Sequence, residues 1–259
     1  MTAVIAFILG FVFLIGGLVP NFAVGMLEQN ISVLLNKPEK LEITIASTPS
    51  FGLLAGNLDR ASITAERFVI SGIMIDKMEL TTGLIKLNLD KLISGEEPAP
   101  QNNIQMEIKC YLKEEDINNY LKSNDFNTHL QQIKQNIPSS IGITGDIDIK
   151  NVSIKLKEDK PEFHGEIKTM GGFFTLPFYF GAYLRLPSED TLALLEPEII
   201  IMDKPLPAPM LRELTDKLNP LIDLKLINTQ ELTFHFRSIE VKEGQLILTT
   251  AIQVNSLTF

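Results

Sequence analysis

The sequence predicts an α+β fold in which antiparallel β-structure packs with a few helices behind an N-terminal hydrophobic helix. Three observations lead to this prediction. Apolar and polar residues alternate in many short runs, the period becomes helical in a few places, and no charged side chain occurs before Glu28. A chain of 259 residues that is 45% hydrophobic can form one large domain. We therefore expect a hydrophobic segment over residues 1–25 and a single domain over 26–259.

The N-terminal segment has three competing interpretations. Its length and apolarity suit a membrane anchor. A cleaved signal peptide is the second interpretation, since Ala23-Val24-Gly25 offers a small-x-small site, although the basic region expected before it is missing. The third is a hydrophobic helix folded into a cavity of the body. An amphipathic helix follows, and Pro38 ends it.

Alternation places the strands of the first half. The runs are LEITI at 41–45, ASITAE at 61–66, KMELT at 77–81 and IQMEIKCYL at 104–112. A period of two describes half-buried antiparallel strands. Cys110 falls in the inward row, where we expect a small buried hydrophobe rather than a nucleophile.

A change of period after Leu112 predicts a helix. Its first turn is acidic, which suits the positive end of the helix dipole. The members of that turn are Glu114, Glu115 and Asp116, and the apolar face holds Ile117, Tyr120 and Leu121. A second helix is predicted from Asn124-Asp125 to Pro138, and a third carries Leu211, Leu214 and Leu218.

Two spaced motifs between residues 53 and 121 carry a family resemblance. The first, L-L-x-G-x-x-D, is formed by Leu53, Leu54, Gly56 and Asp59. The second, L-x-x-x-D-I-N at a helix start, is formed by Leu112, Asp116, Ile117, Asn118 and Leu121. With the short strands between them, they resemble the LmeA-like phospholipid-binding family from about Leu41 onward. That family often has Ser or Thr at the helix cap, where this chain has Lys113.

The resemblance implies a specific architecture and location. It implies a large curved antiparallel sheet or elongated barrel that encloses an apolar lipid cavity, similar to tubular lipid-binding proteins. It also favours the cell envelope or periplasmic face. The positive-inside bias points instead to the cytoplasm, because Lys37 and Lys40 follow the hydrophobic segment and no cation precedes it. The side of the membrane stays open.

The second half continues the alternation and contains one exception. Strands are predicted at 141–149, 152–156, 163–167, 232–236 and 246–254. The exception, GGFFTLPFYFGAYLRLP at 171–187, is apolar at both parities. It is either a central strand covered on both sides or the rim or wall of a lipid cavity, where aromatic side chains could touch a bilayer.

We expect the inward rows and the phenylalanines of the exceptional segment to contact lipid. The predicted lipid-binding residues are Ile104, Met106, Ile108, Ile141, Ile143, Ile147, Phe173, Phe174, Phe178, Phe180, Phe234 and Phe236.

Charge and motif content exclude other classes. A net charge of −9 argues against nucleic acid binding and against electrostatic recruitment to anionic lipid. Nucleotide-binding, zinc-binding and serine-hydrolase motifs are absent from the sequence, and its three histidines have no metal-ligand spacing. We expect no enzyme, cofactor or metal. The hypothesis is a membrane-tethered, non-catalytic phospholipid-binding protein. The alternative is a membrane-anchored structural or protein-interaction module with a filled β-core.

Overall fold

The computed structural model describes residues 31–33, 35–46, 57–86, 101–134, 148–169 and 172–255. The predicted segment 1–25 lies outside these residues, as do Leu53, Leu54 and Gly56 of the first motif. Ile141, Ile143 and Ile147 also lie outside them. No helix within the described ranges has the length and apolarity needed to cross a bilayer.

The described residues are mostly β-strand with few helices, which confirms the α+β prediction at this level. The strands are β1 Lys40–Ala46, β2 Asn57–Leu58, β3 Arg60–Ile70, β4 Ile73–Thr82, β5 Ile85–Lys86, β6 Ile104–Lys113, β7 Asp148–Lys157, β8 Lys160–Thr169, β9 Phe174–Ser188, β10 Thr191–Ile201, β11 Lys204–Pro205, β12 Ile222–Asp223, β13 Leu232–Lys242 and β14 Gln245–Val254. The α-helices are α1 Glu114–Leu121, α2 Asn124–Lys134 and α3 Ala208–Leu218.

The first sheet has the strand order β1-β3-β4-β6-β14-β13. Its antiparallel register pairs Ile43 with Ile63, Ile63 with Leu80, and Leu80 with Ile108. Paired residues of antiparallel strands point to the same face, so the inward residues of four strands form one continuous apolar row. The predicted alternation is therefore the alternation between the faces of this sheet.

The second sheet has the strand order β11-β10-β9-β8-β7, and β12 also pairs with β10. Two-residue turns join β7 to β8, β9 to β10 and β10 to β11, with Asp159 and the pair Met202-Asp203 at positive φ. Both sheets are open along the described strands, because the first ends at β1 and β13 and the second at β11 and β7. The described strands therefore do not form the elongated barrel that was one of the two predicted architectures.

The chain divides into two compact units. The first comprises Met1–Tyr111, Leu224–Arg237 and Leu248–Phe259, and the second comprises Leu112–Asp223 and Ser238–Ile247. Helices α1, α2 and α3 belong to the second unit. The single domain predicted over 26–259 stays a prediction.

Two sequence interpretations need correction. Strand β9 is central in its sheet but is not apolar on both faces. Phe178 and Phe180 pair with Gly165 and Phe163 on one face, whereas Tyr179 pairs with His164 on the polar face. The start of α2 is also different, because the Ser123 hydroxyl accepts from the Phe126 N–H at 3.2 Å, one residue before the predicted Asn124-Asp125 cap.

Candidate lipid-binding surfaces

The inward row of β6 lies in the packed core of the first unit. Ile104 is only 1% exposed, and Met106 and Ile108 are also buried. Ile108 pairs with Leu80 of β4, which is itself buried. These three predicted residues therefore contact other side chains of the sheet and have almost no surface open to solvent.

Phe234 and Phe236 lie on β13 of the same sheet and are equally buried, with Phe236 4% exposed. Five of the predicted lipid-binding residues are thus brought into one sheet. On its opposite face the side chains are polar, and the Gln105 amide donates to Gln253 Oε1 at 2.8 Å.

Cys110 extends the inward row by one position. It pairs with the buried Met78 across β4. Burial raises the pKa of the Cys110 thiol to about 11, because the thiolate loses hydration. A thiol held in its neutral form is a poor nucleophile, which agrees with the structural role expected for it.

The phenylalanines of β9 form a second row in the other unit. Phe174, Phe178 and Phe180 point to one face because they are separated by even numbers of residues along a strand. The rings of Phe163 and Phe180 lie 5.9 Å apart between centroids. The Phe178 ring lies against Gly165, where an added Cβ would stand 2.6 Å from its Cε1 atom. The strand therefore holds three predicted residues together.

The exposure of this row increases toward the beginning of β9. Phe180 and Phe178 are half-buried, Phe174 is 56% exposed, and Phe173, just before the strand, is 90% exposed. The inner part of the same face is covered by a cluster under α1. Its buried members are Leu121, Ile154, Leu156 and Val241, with Phe163 and Leu184 packed against them. The open part of the face thus begins where this cluster ends.

The opposite face of β9 is polar and charged. Tyr179 donates to Glu162 Oε1 at 3.3 Å, and Lys157 Nζ lies 2.8 Å from Glu162 Oε2. Burial raises the pKa of Glu162, but the Lys157 ammonium and the Tyr179 hydroxyl outweigh it, so the net shift is downward. This face has the side-chain chemistry of a solvated surface.

Sequence reasoning identified the D-I-N motif but not what it does. The Asn118 side chain of α1 donates to the Ile154 carbonyl at 2.9 Å and accepts from the Ile154 N–H at 2.8 Å. Glu114 of the acidic first turn accepts from the Leu156 N–H at 2.7 Å. Strand β7 is a sheet edge, and these side chains satisfy its free backbone groups as a neighbouring strand would.

The same use of asparagine recurs at two other strands. Asn219 donates to the Leu194 carbonyl and accepts from its N–H, at 2.9 and 2.8 Å. Asn228 accepts from the Phe234 N–H at 2.8 Å. Asn118 lies inside α1 and Asn219 directly follows α3, so no pattern in the strands that they contact indicates this role.

The comparisons with known proteins agree with the resemblance. The family model for LmeA-like phospholipid-binding proteins matches residues 17–251. No curated protein and no solved structure gives a significant match. Since the match spans most of the 259 residues, the chain belongs to the LmeA-like phospholipid-binding family.

Proposed function

We propose that this protein is a membrane-associated, non-catalytic phospholipid-binding protein of the cell envelope. It holds or transfers lipid with the acyl chains in an apolar cavity, and residues 1–25 keep it at the membrane. The observation that carries the proposal is the phenylalanine row of β9, in a chain whose family binds phospholipid. This row is apolar, aligned and incompletely covered, as a surface for acyl chains needs to be.

Energetics favours a protein that works beside a membrane. A diacyl lipid has about 30 methylenes, so its transfer from water gains on the order of 20 kcal/mol at ~0.8 kcal/mol per methylene. Transfer from a bilayer gains almost none of this, because the acyl chains are already in hydrocarbon. Binding must then come from packing and headgroup contacts. An N-terminal anchor raises the effective concentration of protein at the lipid source.

The absence of catalysis is supported by the chemistry of the candidate groups. The Cys110 thiol is neutral at physiological pH because burial raises its pKa to about 11. His164 is exposed on the polar face of β8, 3.9 Å from Glu162, away from the phenylalanine row. The thiol lacks the thiolate character of a nucleophile, and the imidazole lies away from the surface proposed to hold the lipid.

Native mass spectrometry of the full chain, released from micelles, tests the proposal. We expect a co-purified phospholipid at one or a few molecules per chain, identified after solvent extraction. A matched pair of variants assigns the site. Phe174→Asp places a charge on the apolar face of β9, and Thr175→Asp places the same charge on the opposite face one residue away.

The two variants separate the outcomes. Both positions are exposed, so both proteins should fold. Loss of most of the lipid in Phe174→Asp alone would support the β9 row, and equal occupancy in both variants would exclude it.

The alternative function, an anchored structural or interaction module, is favoured by one observation. The inward row of the first sheet is fully packed, with Ile104, Phe234 and Leu80 all buried. A wild-type chain that carries no lipid, even after incubation with liposomes, would support this alternative and contradict lipid binding.

A further inference from the structure

Two neighbouring turns at one end of the second sheet expose large apolar side chains. Phe173 is the last residue of the β8–β9 connection, Phe174 is the first of β9, and Met202, 56% exposed, occupies the β10–β11 turn. The turns are adjacent because Ile201 pairs with Phe178 and the Met202 N–H donates to the Pro177 carbonyl at 3.0 Å. We name Phe173, Phe174 and Met202 the Phe–Met tip.

The β8–β9 hairpin extends beyond the β10–β11 turn. Residues Phe174–Leu176 of β9 continue past Pro177 and pair only with β8, where Phe174 lies opposite Thr169. At about 3.3 Å per residue, three residues add roughly 10 Å. The phenylalanines therefore stand at the outer end of the hairpin, and Met202 stands about 10 Å behind them.

Met202 is an unusual residue for its turn. Both Met202 and Asp203 have positive φ, at 52° and 58°. Such turns favour Asn, Asp or Gly, because a longer side chain is strained in the left-handed region. Here the turn holds a thioether that is also exposed to water. Neither local conformation nor solubility explains the methionine.

The charge around the tip suits a phospholipid surface. The sequence has no charged side chain from Thr169 to Leu184. Lys168 lies opposite Thr175 and Lys204 lies opposite Ile201. The neighbouring register positions add Glu166 opposite Pro177, Lys150 opposite Glu166 and Asp148 opposite Lys168, so with Asp203 three cations and three anions surround the tip. In a chain of net charge −9, this end lacks the excess of carboxylates that anionic headgroups would repel.

We infer that the Phe–Met tip inserts into the interfacial region of a phospholipid bilayer. Interfacial amphipathic helices carry Trp, Phe and Leu on the side that they bury about 5–10 Å deep, a depth that matches the projection of the hairpin. The inference rests on the proposed function in one respect, that the ligand comes from a bilayer. It assigns a membrane contact in the second unit, in addition to the one proposed for residues 1–25.

A single-tryptophan reporter tests this directly, because the chain contains no tryptophan. Phe173→Trp places the reporter at the tip. Leu226→Trp, at a residue 84% exposed on a short 3-10 helix of the first unit, is the matched control. Each full-length variant is reconstituted with vesicles of phosphatidylcholine and phosphatidylglycerol, with or without brominated acyl chains.

We expect Phe173→Trp emission to shift to the blue with vesicles and to lose about half its intensity to brominated lipid, as for interfacial aromatic residues. Leu226→Trp should show neither change. Adding Met202→Asp to the Phe173→Trp chain should restore most of the intensity. Equal quenching of both reporters, or none of either, would overturn the inference.

Two further results would also overturn it. If the emission of Phe173→Trp is already blue-shifted without vesicles and stays unchanged, another part of the protein covers the tip. If Met202→Asp leaves the quenching unchanged, the quencher is a lipid bound within the protein and not the bilayer. Native mass spectrometry of the same variants reports lipid occupancy separately, so a failure of the proposed function is distinguishable from a failure of tip insertion.

Discussion

The two apolar rows differ in what covers them. On β6 and β13 the inward residues are buried, and each contacts a neighbouring strand of the same sheet. On β9 the row begins beside the α1 cluster and becomes open toward Phe174. In the sequence, the β6 and β13 rows alternate with polar residues, whereas the run that forms β9 is apolar at both parities. Alternation, where it is present, predicts which residues share a face, but the contacts of that face decide whether it is a core or a surface able to receive a ligand.

The largest expected effect comes from truncating one phenylalanine in each row. Phe236→Ala should lower the free energy of unfolding by about 3–5 kcal/mol, since it removes a fully buried ring from a packed core. Phe174→Ala should change it by only about 0.5 kcal/mol, because that ring is already more than half exposed. Urea unfolding of the full chain measures both. A small loss in Phe236→Ala would mean that the first row borders an unfilled volume, which would move the lipid site there.

Thiol labelling compares the accessibility of the same two rows. A thiol with a pKa of about 11 instead of 9.0 holds about a hundredfold less thiolate near neutral pH. We expect iodoacetamide to label Cys110 at least that much more slowly than a cysteine introduced at position 173. The second protein carries Phe173→Cys and Cys110→Ser together. Similar labelling rates in the two folded proteins would contradict a closed first row.

Removing the edge contact of β7 should have an intermediate effect. Asn118→Ala leaves the Ile154 N–H and carbonyl without their side-chain partner, which should cost about 1–3 kcal/mol in the free energy of unfolding. Asn119→Ala, on the exposed side of the same helix, is the matched control. Asn118→Asp keeps the acceptor and loses the donor, so its free energy of unfolding should lie between those of Asn118→Ala and Asn119→Ala. Hydrogen exchange at Ile154 should rise in Asn118→Ala. An unchanged rate would mean that water replaces the asparagine.

The strands could be predicted because their signal is local. Runs such as 61–66 and 104–112 show a period of two within a few residues, and they lie inside β3 and β6. The change of period after Leu112 and the acidic first turn also predicted the helix that begins at Glu114. Local periodicity was sufficient to place strands and helices, and the spaced motifs were sufficient to indicate the family.

The contacts that complete each sheet could not be predicted. Asn118 and Ile154 are 36 residues apart, and no periodic pattern relates them. The aromatic run of β9 occupies both parities, so the separation of phenylalanine from tyrosine depends on the register with β8. Whether a row is covered depends on a cluster assembled from α1, β7 and β13. The predicted lipid-binding residues stay a prediction. Eight of them lie in two differently packed rows, namely Ile104, Met106, Ile108, Phe234 and Phe236 in the first and Phe174, Phe178 and Phe180 in the second.

The smallest expected effect concerns a glutamate that is contacted by one lysine and one tyrosine, an arrangement that occurs on the polar face of both sheets. In the first sheet, the Lys77 ammonium donates to the Glu79 carboxylate and lowers its pKa. Burial acts in the opposite direction, and the Tyr111 hydroxyl, which donates to Glu79 Oε2 at 3.0 Å, lowers the pKa further. In the second sheet, Lys157 and Tyr179 lower the pKa of Glu162 in spite of burial. A lowered pKa in the folded state stabilises the fold above the carboxyl pKa of the unfolded chain. That stabilisation disappears as the pH falls through the folded value.

Glu79→Gln and Glu162→Gln should therefore each lower the free energy of unfolding near neutral pH, by less than about 1 kcal/mol, and have no effect in strong acid. The effect of added salt on this loss of stability should differ between the two variants. The Glu79 side chain is 36% exposed and that of Glu162 only 12%, so added salt should weaken the effect of Glu79→Gln more than that of Glu162→Gln. Urea unfolding at two pH values and two salt concentrations measures this. An equal salt response would show that the two carboxylates are hydrated alike, and that the closer packing of Glu162 does not shield its pair from ions.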